Sequence, residues 1–302
     1  MIGILGATQG AVIQGILWGI MAIGVFITFR LLDFPDLTVD GSFALGGATC
    51  AKLIVDGVNP ALALVIAMLT GCAAGYITAF LNTKFKIPSI LAGILAQLSL
   101  FSINLRIMGR SNTPLLKEKT LFDNIQDTLK NFSINIDADY ISLVVGIFFV
   151  LLVIGVLYWF FGTEIGCAIR ATGHNANMVR AQGQNTNTTT IIALMISNGL
   201  VALSGSLVAM NQGYADIQMG TGAIVIGLAS IVIGEVVFSK TKSFWAALIG
   251  IVVGSVLYRI IIAFVLQVGL KTDDLKMFTA IIVSVALALP ELRRYYLSRK
   301  QV

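Results

Sequence analysis

The chain has 302 residues, of which 57% are hydrophobic and only 12% charged, with a net charge of +5 and a mean hydropathy of +0.91. Globular chains carry about 25% charged residues, so this apolar surface exceeds what one water-soluble core can hide. Soluble enzymes, nucleic-acid binders and disordered chains are excluded together, and the excess of Lys and Arg becomes a topology signal.

Met1 to Phe29 is uncharged and has neither the basic leader nor the small-residue cleavage site of a signal peptide, so about 10–30 reads as a retained first helix. Further apolar segments follow at about 41–58, 60–82, 88–107, 140–161, 189–211, 222–238, 244–267 and 276–290, each bounded by charge, Pro or Asn. The expectation is an all-α polytopic membrane protein of nine spans, one transmembrane domain over 1–302. A hydrocarbon core needs about 20 residues per helix, and the second and ninth segments fall short of that. Cys50, Cys72 and Cys167 show no ligand spacing, so neither a disulfide framework nor a metal site is expected, and no cofactor.

Between the first two spans lies Asp33-Phe-Pro-Asp-Leu-Thr-Val-Asp-Gly-Ser42. Pro35 is expected to stop the preceding helix, Asp40 to cap the next, and Ser42 to offer a further oxygen to free amides. Gly41, Gly46 and Gly47 permit close helix contact. An ordinary boundary turn explains this stretch, but the interruption at Lys52 suits a broken helix lining a substrate path. Gly41 to Gly46 and Gly222 to Gly227 share a Gly-x4-Gly pattern, each after a long apolar helix and a polar turn, as in an inverted repeat. Asp40, Gly41, Ser42, Gly46, Asn198, Gly222 and Gly227 are the candidate path residues.

An outer loop over 108–139 carries Phe122, Ile125, Leu129 and Phe132 at steps of 3, 4 and 3, an amphipathic helix that caps the spans or receives an external partner. The polar stretch 162–190 faces the other side. Asn175 reads as the N-cap of a short helix over Ala176 to Ala181, with Gly183 as its stop. It is a solvated linker or a docking element. His174, the sole histidine, has no second ligand at useful spacing.

With the N-terminus outside, eleven Lys and Arg fall on the cytoplasmic side and eight outside, where five crowd the long loop and its edge among acidic residues. Short loops and the tail Leu292 to Tyr296 favour a cytoplasmic C-terminus. An ion-coupled transporter needs acidic groups deep in spans, yet only Arg259 is deep and Glu235 lies near an end; Arg259 is expected to pair with an acidic or carbonyl partner. A membrane hydrolase using Ser204 or Ser206 lacks a partner base.

The run Phe161 to Asn185 matches T-x-x-G-x-x-x-R-A-x-G-x-N-x-x-x-A/V-x-x-x-G, and with Asn198 to Ser206 and Ile233-Gly234 it resembles permease subunits of ATP-binding-cassette importers of the branched-chain amino-acid and ribose class. Phe34 to Phe43 is most similar to the tryptophan and tyrosine subgroup. The resemblance implies a fold similar to the cobalamin-importer (type II) permease, with one fewer N-terminal span. It implies a bacterial plasma (inner) membrane location and a coupling helix in 162–190 built on Arg170, Gly173, His174, Asn175, Arg180 and Gly183. The implied partners are cytoplasmic ATPase subunits, an extracytoplasmic solute-binding protein and a second permease copy, a homodimer in the lipid bilayer, with no nucleic acid. No G-x-x-x-x-G-K-S/T occurs, so ATP hydrolysis falls to a separate chain and this one is not an enzyme.

Overall fold

The computed structural model describes residues 2–116, 118–131, 137–238 and 243–267, with single positions between 277 and 288. Helix α1 (Ile2–Phe26) runs into a π turn (Ile27–Leu31). Then come α2 (Thr38–Val55), α3 (Pro60–Phe85), α4 (Ser89–Met108), strand β1 (Asn112–Pro114), α5 (Leu121–Asn131) and α6 (Ala138–Phe161). The order continues through α7 (Glu164–Ala181), α8 (Thr186–Gln212), β2 (Tyr214–Asp216), α9 (Ala223–Val237) and α10 (Phe244–Gln267).

Local chemistry sets most boundaries. Asn59 accepts from the Ala61 amide ahead of Pro60 to start α3, which ends on the left-handed Lys86 before Pro88. Asn185 accepts from the Asn187 amide at 3.0 Å to start α8, and left-handed Gly213 ends it. These are the caps and stops that side-chain oxygens and glycine supply.

Six helices, Thr8–Leu31, Pro60–Phe85, Ser89–Met108, Ala138–Phe161, Thr186–Gln212 and Phe244–Gln267, are long and apolar enough to cross a membrane. The expected second and seventh spans are the shorter α2 and α9, and the expected ninth, 276–290, lies largely outside the described residues. Six long helices and two shorter ones therefore stand at the first eight expected segments among the described residues. The antiparallel pair β1–β2, with Thr113 opposite Ala215, is an addition.

Helices α1 and α8 form the centre, with 83% and 78% of their most apolar stretches buried, while α3, α4, α6 and α10 turn apolar faces outward. Leu69, Leu98, Phe148, Trp159 and Phe264 are exposed there, as lipid-facing side chains are. Helix α1 runs antiparallel to α8, since the Ser197 hydroxyl donates to the Gly24 carbonyl and that of Ser204 to Leu17, both at 2.7 Å. Helix α2 runs parallel to α8 and so close that a Cβ on Gly46 would overlap the Ala202 carbonyl and one on Gly205 that of Phe43. Two polar ends result: one carries α7, the other the strand pair and α5.

The crossing generates a prediction. Gly205→Val forces side-chain atoms into backbone and should cost about 1–3 kcal/mol, the range for overpacked cores. Gly155→Val meets nothing within 4 Å and should be silent. Thermal melts of detergent-solubilised protein check both; equal melting of the two variants would show that α2 and α8 are not in close contact.

Candidate functional site

Helix α2 begins in the interior. Leu37 at its start packs against Gly93 of α4, and Ser42 lies level with Asn198, the thirteenth of 27 residues in α8. At 1.5 Å per residue that is about 18 Å along α8. No water satisfies amides at such a depth, so side chains must. Asp36, fully buried, accepts from the Thr38 amide at 2.9 Å and from Asn198 Nδ2 at 2.7 Å. Ser42 donates to Asn198 Oδ1 at 2.6 Å, and the Thr38 and Thr78 hydroxyls share a bond of 2.8 Å. Asn104 Nδ2 donates to the Gly41 carbonyl at 3.2 Å. Four helices, α2, α3, α4 and α8, thus meet in one buried polar junction.

The same head of α2 starts α9. Asp40 Oδ2 accepts from the Gly222 amide and Oδ1 from that of Ile224, both at 3.0 Å. Gly220 sits where any Cβ would strike the Asp40 carbonyl. After β2 the chain therefore descends through non-helical turns and begins α9 beside the start of α2. Here the expected local roles are corrected. Asp40 lies inside α2 and caps α9, Asp36 serves α2, and Ser42 bonds a side chain instead of free amides. The helix before Pro35 ends at Leu31, and Asp33 takes the left-handed conformation in between.

At the other end, α7 is two helical segments joined at Asn175, whose backbone leaves the helix (φ −158°, ψ 91°) while its Oδ1 accepts from the Met178 amide at 3.0 Å. Gly183, at φ +82°, ends the second segment with amides returned to Arg180 and Val179. The first segment, Glu164 to His174, is helical where a polar stretch gave no such expectation. It is pinned from several sides: Gly173 lies flush against the Leu31 carbonyl, and Thr172 bonds Thr189 of α8 at 3.0 Å. Arg170 donates to the Phe161 carbonyl at 2.8 Å and stacks over Phe244. Arg180 Nε donates to Thr186 at 2.8 Å, and His174 Nδ1 lies 3.0 Å from the Arg170 carbonyl. Around the kink the exposed surface is His174, Asn175, Asn177, Met178 and the turn through Gly183, and the start of α7 also exposes Glu164, Ile165 and Cys167.

The sequence residues thus fall into two groups. Ser42, Asn198 and Gly41 share the junction with Asp40 and Gly222 beside it, whereas Gly46 packs on α8 and Gly227 on Val25 of α1. Sequence reading missed Asp36, Thr38, Thr78 and Asn104; the Asp-x-Thr spacing before an apolar run was a usable capping signal for the first two. Glu235 is taken by Arg30 of the π turn at 2.7 Å. Ser204 and Ser206 donate to backbone carbonyls, which leaves neither poised as a nucleophile. Arg259 stacks over Trp18 with its Cζ 4.1 Å from the ring centroid, and no acidic or carbonyl partner is found among the described residues. At the strand end, Trp18, Asn112, Gln212, Tyr214, Asp216 and Gln218 are among the residues that line a cleft of about 500 Å³. Beside it, Phe122 of α5 is buried, Ile125 and Leu129 pack on the core, and Thr120 and Asp123 cap that helix reciprocally. Phe132 lies outside the described residues.

Residues 8–288 match the family described as the permease component of branched-chain amino acid transport systems. The chain is 40% identical over 275 residues to the tyrosine transport system permease protein of Clostridioides difficile, covering 91% of this chain and 88% of that one. It is 27% identical to the ribose import permease protein RbsC of Escherichia coli K12, over 62% of this chain and 56% of the other. Among solved structures, PsaBC from Streptococcus pneumoniae in complex with Fab aligns with a TM-score of 0.39 at 18% identity, over 85% of this chain and 90% of that chain.

Asn198→Ala removes donors and an acceptor from the junction at once. Losing partners for buried polar groups costs about 1–3 kcal/mol each, so the variant should melt well below the parent. Asp40→Ala strips the α9 cap and should cost about 1 kcal/mol. Unchanged melts for both would show that the junction does not hold α2 and α9.

Proposed function

The chain belongs to the permease family of branched-chain amino acid transport systems, and on that premise we propose that it is the membrane subunit of an ATP-driven importer of an amino acid, aromatic in side chain. An extracytoplasmic binding protein delivers the solute, two permease copies form a homodimer, and separate ATPase chains supply the work. The relative named for tyrosine transport supports the cargo, and the absence of a nucleotide motif supports the division of labour. We place the protein in the bacterial inner membrane with α7 and the C-terminus cytoplasmic and the N-terminus outside.

The observation that carries this reading is α7: an exposed, kinked helix that is nevertheless clamped to the bundle. His174, Asn175 and the turn through Gly183 present the surface for the ATPase, and Arg170, Gly173 and Arg180 tie that surface to α6, the π turn and α8. A push on α7 passes through Gly173 to Leu31, and from there along six residues to Asp36. The translocation path then runs along the heads of α2 and α9, past Asp40, Gly41, Ser42, Gly46, Asn198, Gly222 and Gly227. ATP binding favours one packing only if the contacts differ between the two states, so the α7 surface must change partners during the cycle.

An inverted repeat of the cobalamin-importer type is part of the proposal. Helices α1 and α8 run antiparallel, each is followed by a turn and a shorter helix starting inside, and α1 packs on α10 as α8 packs on α3. Helix α5, on the outer side, receives the binding protein. There the Lys119 ammonium bonded to Asp127 at 2.6 Å holds that carboxyl below its ordinary range.

Reconstitution with the ATPase chains tests this. Gly183→Val places a β-branched residue at a positive φ, which such residues resist, and Arg180→Ala frees the turn from α8. Both variants should insert normally, dock the binding protein, and lose ATP-driven uptake by tenfold or more. Parental uptake in both, or uptake that needs no ATPase and collapses with a protonophore, would overturn the proposal. Replacing Asp127 and Lys130 with Ala together should weaken binding-protein docking several-fold; unchanged docking would leave α5 a cap alone.

A further inference from the structure

One cluster takes no part in that account. Between α1 and α10 lies an open cavity of about 350 Å³, lined by Gln14, Arg259 and Gln267 among apolar residues such as Ile262 and Leu266, with Trp18 just behind the lining under Arg259. Three polar atoms here are buried without a hydrogen-bond partner: Gln14 Oε1, Trp18 Nε1 and Arg259 Nε. Gln14 and Trp18 are four residues apart on α1, hence on one face. The Arg259 guanidinium covers one side of the Trp18 ring, and Phe43 of α2 packs against that ring at a centroid distance of 4.6 Å.

Buried polar atoms are normally bonded, and an unpaired cation in a membrane interior is costly enough to mark a functional position. The ring face offsets only part of that cost. The orphan set is specific: two donors, one of them charged, and one acceptor. An oxyanion alone leaves Gln14 unmet, and a cation alone is repelled by Arg259.

We propose that Arg259, Trp18 and Gln14 bind the zwitterionic head of an α-amino acid. Arg259 and Trp18 Nε1 donate to the carboxylate, Gln14 Oε1 accepts from the ammonium, and the apolar remainder of the cavity takes the side chain. The cavity is within the size range of small-molecule sites. On its other side Trp18 lines the strand-end cleft, so its indole lies between that cleft and the α1–α10 cavity. Through Phe43 the ring touches the helix whose head forms the polar junction, so occupancy is reported to α2. This inference rests on the amino-acid importer reading and adds where the cargo is held.

The test uses the permease assembled with its ATPase chains in nanodiscs and radiolabelled tyrosine or tryptophan as probe, with uptake of a panel of amino acids into proteoliposomes measured in parallel. Saturable binding is expected, with tyramine, which lacks the carboxylate, and 3-(4-hydroxyphenyl)propionate, which lacks the ammonium, competing at least tenfold more weakly than tyrosine. Arg259→Met should abolish saturable binding, Arg259→Lys should restore part of it, and Trp18→Phe and Gln14→Leu should each weaken it several-fold. The melt of Arg259→Lys controls for folding. Equal affinity in parent and Arg259→Met, or tyramine competing as well as tyrosine, overturns the site. Phosphatidylethanolamine held by the parent, lost from Arg259→Met and not displaced by tyrosine also overturns it, assigning the cavity to a lipid headgroup. If no amino acid is taken up, the importer reading itself falls; if uptake proceeds with an unchanged KM in Arg259→Met, only the present inference does.

Discussion

A helix that begins inside a membrane protein exposes its first amides where there is no water, and this molecule has two such helices with adjacent heads. Asp36 takes an amide of α2, and Asp40, four residues on, takes two of α9. Each unmet group would cost about 1–3 kcal/mol, so the two carboxyls stabilise the starts of the two short helices. They also make those helices one unit, because the cap of α9 is a side chain of α2.

The rest of the packing accommodates that arrangement. The head of α2 reaches the centre of α8 only because Gly46 and Gly205 remove side-chain bulk at the crossing. Polar side chains bonded to backbone carbonyls, Ser197 to Gly24, Ser204 to Leu17 and Ser206 to Gly46, hold helices that gain nothing from hydrophobic association in lipid. The link to the surface is short: α7 abuts Leu31, and the segment leading to Asp36 starts there.

Much of this was legible in the sequence wherever the cause is local. Uncharged runs bounded by Asn59, Pro60 and Pro88 placed α3 and α4 to within a few residues, and Asn175 and Gly183 carry recognisable cap and stop chemistry. The failures are tertiary. Asp40 looks like a cap for its own helix, and its partner lies 182 residues away. The strands are three residues each and exist only because β1 and β2 meet. The first segment of α7 is polar and contains two glycines, so neither periodicity nor propensity marks it; its stability comes from Leu31 and Thr189. Arg259 was visible as a deep charge, but its lack of a partner was not.

The junction also shows which parts of the bundle are free to move against each other. Asn198 holds its own Leu194 carbonyl as well as Asp36, Thr78 holds Ala74 as well as Thr38, and Ser206 holds Ala202 as well as Gly46. Each therefore keeps a partner within its own helix when the contact to α2 or the segment before it breaks: sliding of α3 or α8 past α2 leaves the Thr78 and Ser206 hydroxyls donated and frees one of the two Asn198 Nδ2 hydrogens. The amides of Gly222 and Ile224 have no such reserve, since the first turn of a helix has no carbonyl behind it. The Asp40 cap thus makes α2 and α9 one unit, whereas α3 and α8 meet α2 partly through side chains that also bond within their own helices. The crossings of α8 with both α2 and α3 are lined by glycine, so no side chain interlocks the backbones at those surfaces.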